Sequence, residues 1–298
     1  MAMLVPGNAP ERRAVVLTTD CGAEIDDQWA VSHLALSPAI DLKGIVTNHA
    51  PNLDAPASET SARVVRRMLD RLPLKDKPRV IAGASGPLAD ARSPSPNKGV
   101  TFLLDQARGH GPDDRLVVVC IGTATDVASA LLTDPSWADR VEVVAMGFEN
   151  GEQGDDPWNV KNDPKAWGVL LESKVPLVVG DAAVCKRDLG VSVAEARTLL
   201  ETKGPAGVYL AEGVADWVDR HRDLAAREAG RPETWPIWDE ITTAYLLGLA
   251  KSEDRPRPHL RPDLTFDHDN PRGRVRWITS VDSRRLWADL AGLLDRRD

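Results

Sequence analysis

Cysteine is scarce in this chain, and its scarcity excludes two kinds of stabilised fold. Only Cys21, Cys120 and Cys185 occur among 298 residues. They are odd in number and far apart, so neither a disulfide framework nor the paired spacing of a zinc site can be drawn from them. Such cysteine usage is typical of a reducing compartment, and we expect the protein to be cytoplasmic.

The chain also lacks an excess of basic residues. Its 37 Lys and Arg residues are outnumbered by 45 Asp and Glu residues, which gives a formal net charge of -8 at pH 7. A protein that binds a nucleic-acid backbone usually carries a basic face. We therefore expect no nucleic-acid partner.

Long hydrophobic runs are absent as well. Residues 1–13 lack the apolar segment of a signal peptide, and no run approaches the roughly 20 apolar residues that a membrane helix needs. We expect no membrane partner, and we predict that residues 1–13 are flexible. Length alone suggests about two domains. Because neither an internal repeat nor a strong linker interrupts the pattern, we predict one domain over residues 1–298.

Short apolar runs that alternate with helical patterns are the main feature of the first part of the chain. The predicted strands are residues 14–19, 42–47, 79–82, 116–121, 141–146 and 177–179. The predicted helices between them are residues 26–36, 56–71, 99–108, 125–132 and 164–171. The strands are rich in Val, Ile and Leu without alternation, which indicates burial on both faces. This pattern predicts an α/β fold, with a mostly parallel central sheet of Rossmann-like βαβ units flanked by helices.

The pattern beyond residue 180 is mostly helical and predicts a helical C-terminal extension. Helices are expected at residues 193–202, 205–220, 239–250 and 283–294, with one short strand at residues 275–279. Two stretches, 85–98 and 251–271, are rich in Pro and polar residues and are predicted to be surface loops.

An acidic turn follows the first predicted strand. Asp20, Asp26 and Asp27 crowd the junction between this strand and the next helix, with Glu24 beside them. Carboxylates held this close repel one another, and a hard cation such as Ca²⁺ would relieve the repulsion. The simpler interpretation is an acidic loop with one N-capping aspartate. The turn lies at the carboxyl end of a buried strand, where open α/β sheets place their ligands, and this favours a binding site.

Polar residues also follow other predicted strands. Asn52 comes after the second strand, Thr125 after the fourth and Asn150 after the fifth. Right-handed crossovers bring these strand ends to one edge of the sheet. Two later stretches, residues 158–164 and 235–240, are also rich in Trp, Asn and Asp. We therefore expect this edge to hold a polar small molecule.

Taken in order, these motifs resemble those of the inosine–uridine type nucleoside hydrolases. Residues 20–27 (DCGAEIDD) have the form D-x-G-x-x-x-D-D, which is the longer version of that family's first motif. Residues 121–128 (IGTATDVA) are similar to its GPLTN(I/L)A stretch. Residues 158–164 (WNVKNDP) resemble its EFN…DP motif, and Trp238-Asp239 resembles its late HD pair. Each match alone is weak, but the series keeps its order along most of the chain.

The resemblance implies hydrolysis of the N-glycosidic bond of a ribonucleoside, or of a modified riboside, to free base and ribose. It also implies a Ca²⁺ site, in which Asp20, Asp27 and Asp239 supply carboxylate oxygens and Thr125 its backbone carbonyl. This ligand set is hard and contains only oxygen, as Ca²⁺ prefers. Asp20 would in addition act as the general base for the water that the cation activates.

The same resemblance assigns substrate contacts. Asp26 and Asn159 would bind ribose hydroxyls, and Asn52 and Asn150 are further candidates for this role. Trp238 stands where many relatives have a histidine that protonates the departing base. An indole has only a non-acidic N–H group, so it cannot replace that acid. The enzyme would then stack a purine on Trp and let solvent protonate it, or act on a riboside whose base leaves without help. A further candidate for the acid is Lys98 or another residue of the loop at residues 85–98.

Two further expectations follow from the resemblance. Relatives are often dimers or tetramers, so we expect a homo-oligomer. The alternative to an enzyme is a catalytically idle relative that binds a nucleoside or sugar, because a fold does not guarantee a function. Loss of Asp20 or Asp27 would favour the idle relative, and both residues are present.

Overall fold

The computed structural model describes residues 12–156 and 158–295. The strands are β1 (Arg13–Thr19), β2 (Ile40–Thr47), β3 (Arg79–Ala82), β4 (Leu116–Cys120), β5 (Val141–Met146), β6 (Leu177–Gly180), β7 (Gly190–Ser192), β8 (Thr234–Pro236), β9 (Ala250–Pro256), β10 (His259–Leu260), β11 (Phe266–Asp267) and β12 (Arg274–Val281). The α-helices are α1 (Asp26–Leu36), α2 (Ala57–Leu69), α3 (Lys98–Gln106), α4 (Thr125–Thr133), α5 (Asn159–Asn162), α6 (Pro164–Glu172), α7 (Ala182–Asp188), α8 (Val193–Leu200), α9 (Gly204–Arg220), α10 (Arg222–Ala229), α11 (Glu240–Leu246) and α12 (Ser283–Leu294). The flexibility predicted for residues 1–13 concerns mainly residues 1–11, which lie outside the described residues.

Within the described residues, eight strands form one central sheet in the order β3-β2-β1-β4-β5-β6-β12-β9. Neighbouring strands are parallel from β3 to β12, and β9 alone runs antiparallel to β12 at the edge. The predicted mostly parallel α/β sheet is confirmed. The strand order changes direction between β1 and β4, which is the position where open α/β sheets bind ligands.

The strands near the centre of the sheet are buried on both faces. In β1, Val15 and Leu17 belong to one hydrophobic core and Val16 to the other, and all three are fully buried. Helices cover both faces and supply Trp29 from α1 to the first core and Trp167 from α6 to the second. This two-sided burial is the reason why the strands read as continuous apolar runs rather than alternating ones.

The prediction of a surface loop over residues 251–271 was wrong in its first part. Residues Ala250–Pro256 form the edge strand β9, and the short strands β10 and β11 pair further on. The side chains of β9 are mostly exposed and polar, so the strand lacks the apolar signal of a buried one. Charged residues on an edge strand also oppose pairing with another chain. By contrast, residues 85–97 contain no helix or strand, as predicted.

The predicted C-terminal extension is helical, but it also completes the sheet. Strand β12 pairs with β6 and brings β9 with it. The helix predicted at residues 239–250 is shorter and ends at Leu246. Helices α7 and α10 and the paired strands β7 and β8 were not predicted. None of the helices in the described part of the chain has the length and apolarity that crossing a bilayer requires.

A buried histidine joins three helices of this fold. His33 on α1 is fully buried, and its Nδ1 lies 2.9 Å from Glu240 Oε2 at the start of α11. Its Nε2 lies 3.0 Å from Asp289 Oδ2 on α12. Burial opposes the charged form, but the carboxylates of Glu240 and Asp289 raise the pKa of His33 to about 9. The imidazolium can therefore donate from both nitrogens and hold α1 against α11.

This arrangement predicts a pH-dependent contribution to stability. Because the folded pKa of His33, about 9, exceeds the ordinary value of 6.5, its contribution is complete below the unfolded pKa and is lost as pH rises through about 9. The contribution is of order 3 kcal/mol in the free energy of unfolding. Urea unfolding at pH of about 6.5 and about 9 measures the free energy of unfolding. Between these two pH values, the wild type should lose about this much more of it than His33→Gln does. Equal losses in the two proteins would contradict the prediction.

Candidate active site

A cavity of about 290 Å³ opens where the parallel strands end. It is bounded by the turn after β1, by residues that follow β4, β5 and β8, and by residues of α7 and α10. The lining residues are Asp20, Glu24, Asp26, Asp27, Ile121, Met146, Phe148, Glu149, Asp156, Trp158, Asn159, Ala182, Lys186, Leu224, Arg227, Glu228, Trp235, Trp238 and Asp239. The sheet edge predicted to hold a ligand is thus the edge that carries the cavity.

Four of the predicted aspartates meet in this cavity. Oxygen atoms of Asp26, Asp27 and Asp239 lie within 4.8 Å of one another. Asp20 lines the same cavity, is only 2% exposed, and its Oδ2 has no hydrogen-bond partner. Asp26 and Asp27 occupy the first turn of α1, where the helix dipole favours negative charge. Asp239 precedes α11 but makes no capping hydrogen bond, and its side chain interacts with that of Asp26 instead.

Burial makes these carboxylates difficult to ionise. Burial and the nearby charge of Asp26 raise the pKa of Asp20 to about 8. Burial likewise raises the pKa of Asp26 to about 7, although backbone hydrogen bonds oppose the rise. The pKa values of Asp27 and Asp239 are raised well above the ordinary value, by burial first and by neighbouring carboxylates second. In the described part of the chain, no Lys, Arg or His forms an ion pair with these aspartates.

The donor set fits a hard divalent cation. Every candidate ligand offers oxygen, the carboxylates are crowded and short of positive charge, and one buried oxygen of Asp20 lacks a partner. Thr19 donates a hydrogen bond to Asp27 and leaves the second carboxylate oxygen of Asp27 for other contacts. A cation would offset the burial, and relieve the repulsion, that raise the pKa values in this cluster.

Thr125 is the first residue of α4, and its side chain is engaged away from the carboxylate cluster. Its hydroxyl donates to Asp163 Oδ2 at 2.6 Å and lies 3.0 Å from His49 Nε2. It is not among the residues that line the cavity. Only its backbone carbonyl is therefore left for the metal role that the family resemblance implies.

Asn159 is held in place with one atom free. Its Nδ2 donates to the carbonyls of Met146 and Ile121, at 3.1 and 3.3 Å, while its buried Oδ1 has no hydrogen-bond partner. Asp156 orders the surrounding segment by accepting the backbone N–H groups of Phe148 and Val160, at 2.9 and 3.3 Å. Asn159 thus presents an unsatisfied acceptor at the cavity, which suits a hydroxyl donor.

Two predicted substrate contacts lie outside the cavity. Asn52 donates to the carbonyl of Ala23 at 2.7 Å and lines a neighbouring cavity instead. The Oδ1 of Asn150 accepts the backbone N–H groups of Glu152 and Gln153, so its side chain stabilises a turn. The structure therefore does not bring these two asparagines to the carboxylate cluster.

Aromatic rings form one wall of the cavity. Trp238 packs edge-on against Trp235, with ring centroids 5.8 Å apart and an interplanar angle of 87°. Trp158 and Phe148 also line the cavity. Such rings offer faces on which a planar base can stack. The predicted contact between Trp238 and a base is compatible with this position.

Charged residues from two unpredicted helices complete the cavity. Lys186 lies on α7, and Arg227 and Glu228 lie on α10; sequence reasoning singled out none of the three. Helix α10 buries only Ala225, so it has no apolar stripe from which a helix can be predicted. No sequence signal of the kind used above pointed to these residues.

Comparisons with known proteins agree with this geometry. The pyrimidine-specific ribonucleoside hydrolase RihA of Escherichia coli O9:H4 (strain HS) is 26% identical over 260 residues, covering 78% of this chain and 80% of that protein. A purine-preferring ribonucleoside hydrolase from Gardnerella vaginalis has a similar structure, with a TM-score of 0.77 at 19% identity, covering 95% of this chain and 99% of that one. An inosine-uridine preferring nucleoside hydrolase from Bacillus anthracis gives 0.68 at 17% identity, covering 95% and 99%.

The strongest comparison covers nearly the whole chain. The family described as inosine-uridine preferring nucleoside hydrolase matches residues 15–288. This range includes the acidic turn after β1, the cavity and the aspartate that precedes α11. The chain therefore belongs to the inosine-uridine preferring nucleoside hydrolase family, whose members are hydrolases that act on N-glycosyl bonds.

Proposed function

We propose that this protein hydrolyses the N-glycosidic bond of a ribonucleoside or modified riboside, with Ca²⁺ as its cofactor and as a homo-oligomer. The observation that carries the proposal is the cluster of buried aspartates. Among the described residues, no cationic side chain forms an ion pair with them. This cluster lies in a cavity of about 290 Å³. Small-molecule sites begin at roughly this size, about 300 Å³.

The cation site uses three carboxylates and one carbonyl. Asp20, Asp27 and Asp239 supply carboxylate oxygens, and Thr125 supplies its backbone carbonyl. When bound, the cation contributes positive charge that lowers the pKa of a neighbouring water. The mutual proximity of the Asp27 and Asp239 oxygens supports the place of these two residues in the set.

Asp20 is the general base in this proposal. Its buried Oδ2 has no hydrogen-bond partner and is free to accept a proton from water. Burial raises the pKa of Asp20 to about 8, so without a cation this carboxyl group would be mostly protonated at neutral pH. Positive charge beside it favours the ionised form that a base needs. The same carboxylates stabilise an oxocarbenium-like transition state at the ribose.

Ribose recognition rests on Asp26 and Asn159. Asp26 lies next to Asp27 and Asp239, so a hydroxyl bound to it would sit beside the cation site. Asn159 offers its unpartnered Oδ1 to a second hydroxyl. The positions of Asn52 and Asn150 outside the cavity do not support a role for them in this contact.

Asn159→Ala is expected to lower kcat/KM by about 10- to 100-fold, because a buried hydroxyl of the substrate loses its acceptor. The 2′-, 3′- and 5′-deoxy forms of the active substrate identify the hydroxyl concerned. For the deoxy substrate that lacks it, the variant and the wild type should differ by less than about threefold. Equal losses on every substrate would contradict the assigned contact.

A panel assay tests the proposed function. Purified protein with Ca²⁺ is incubated with purine, pyrimidine and modified ribosides, and free ribose is measured. Release that is abolished both by chelation and in Asp20→Ala, but not in the surface control Asp105→Asn, is the expected result. The panel also identifies the base, since the relatives named above include both a purine-preferring and a pyrimidine-specific enzyme. Riboside binding without ribose release would favour the catalytically idle alternative.

A further inference from the structure

One lysine in the cavity wall forms ion pairs with two carboxylates. Lys186 Nζ lies 2.7 Å from Glu149 Oε1 and 3.2 Å from Glu228 Oε2, which come from the segment after β5 and from α10. Arg227 Nε lies 3.1 Å from Oε1 of the same Glu228 carboxylate. Two separate elements therefore bring a carboxylate to the ammonium group of α7 that lines the cavity.

The position of this lysine is next to the expected site of the base. Lys186 Nζ lies 6.0 Å from the centroid of the Trp238 ring, and Trp238 directly precedes Asp239 of the carboxylate cluster. The side chain of Lys186 is 28% exposed, whereas Asp239 is 2% exposed. The cavity thus has a deeply buried acidic part and a less buried part that contains the tryptophan face and the ammonium group.

N-glycosidic hydrolysis needs help at the departing base. The C1′–N bond breaks with its electron pair moving to the base, and the water oxygen forms the new bond to C1′. The proton of that water passes to a carboxylate, and a proton from solvent finally neutralises the base. Until then the base carries developing negative charge, which a hydrogen-bond donor or a cation stabilises. The only donor of Trp238 is a non-acidic N–H group, and this side chain already hydrogen bonds to Glu24.

We propose that Lys186 stabilises the departing base by donating a charged hydrogen bond, with Glu149 and Glu228 as positioning residues. This inference rests on the proposed function and deepens it. The substrate class it indicates is a riboside whose base carries an acceptor, such as a ring nitrogen or carbonyl oxygen, that gains charge as the bond breaks.

A protonated lysine is the form that this role requires. Burial opposes its charge, but hydrogen bonds to Glu149 and Glu228 raise the pKa of Lys186 above its ordinary value. Lys186 therefore keeps its proton and acts through charge and hydrogen bonding. The three donors of the ammonium leave one for the substrate after both carboxylates are satisfied.

The test compares two leaving groups. Lys186→Met is assayed with the best nucleoside of the panel and with 4-nitrophenyl riboside, whose leaving group is stable as an anion without help. We expect kcat/KM to fall about 100-fold on the nucleoside and less than about threefold on the nitrophenyl riboside. Lys186→Arg should restore part of the nucleoside activity. The matched control Lys77→Met removes an exposed ion pair with Asp70 and should change neither activity.

The outcomes separate this inference from the proposed function. Equal losses of Lys186→Met on both substrates, or no loss on the nucleoside, would overturn the role of Lys186 while leaving the hydrolase in place. A wild type that releases ribose from neither substrate would overturn the proposed function and this inference with it. Unchanged Ca²⁺ binding by calorimetry in Lys186→Met confirms that the variant is folded and its carboxylate cluster intact.

Discussion

Replacing Asp239 by asparagine is expected to remove Ca²⁺ binding and to lower the rate of ribose release by about a thousandfold or more. Asp239 makes no capping hydrogen bond, and its oxygens lie close to those of Asp26 and Asp27. The substitution therefore removes a charge from the cluster without removing a helix cap. Calorimetric titration of chelator-treated protein with Ca²⁺ measures the binding, and the ribose assay measures turnover.

Neighbouring substitutions show whether the loss is specific to the cation. Asp27→Asn should behave like Asp239→Asn, because both residues are proposed ligands. Asp26→Asn is the closest comparison, since the residue lies in the same cluster but is assigned to ribose. It should keep Ca²⁺ binding and raise KM. Ca²⁺ binding that survives in both Asp27→Asn and Asp239→Asn would refute the proposed site.

The second large effect concerns stability. Ca²⁺ is expected to stabilise the folded protein by about 4 kcal/mol at a free concentration about 1,000 times its Kd. The stabilisation should be much smaller at pH of about 5.5 than at pH of about 8.5, because protons compete with the cation for the carboxylates at the lower pH. Thermal unfolding with Ca²⁺ or with a chelator, at both pH values, measures the difference in Tm.

The sign of this effect follows from the carboxylates. In the cation-free protein the pKa of Asp26 is raised to about 7 and that of Asp20 to about 8, from an ordinary value of 3.8. The folded state therefore binds protons that the unfolded state has released, and stability falls as pH rises from about 4 through about 8. Asp239→Asn should lose most of the Ca²⁺ response at both pH values. An equal Ca²⁺ response of the wild type at the two pH values would contradict this account.

The parallel strands and the acidic turn could be predicted because their signals are local. Strand β4 is a run of buried apolar residues, and the turn after β1 places three aspartates within eight residues. Strand β9 gave no such signal, since an exposed edge strand has no buried face to impose an apolar pattern. Helix α10 is short and charged, and Ala225 is its one buried residue. It therefore also lacks the hydrophobic periodicity from which a helix is predicted.

The site could be predicted only in part for a related reason. The rule that parallel strands end at one edge places a residue near the cavity, but it does not fix the direction of its side chain. Asn159 and Asp239 line the cavity, whereas the side chain of Asn150 accepts N–H groups of its own turn and that of Asn52 donates to the carbonyl of Ala23. Asn side chains often satisfy nearby backbone groups as Asn150 does. Lys186 reaches the cavity from a helix that the sequence did not indicate.

The buried contact between His33 and Glu240 has a consequence for the order of folding. These residues are 207 positions apart along the chain, yet they hold together the two helices that begin at the aspartate cluster. Closing a loop of this length carries an entropic cost that the docked helices must offset. A nascent chain cannot assemble the cluster before Asp239 has been synthesised and α11 has docked. In the proposed function, the cation therefore binds only after these distant segments of the chain have met.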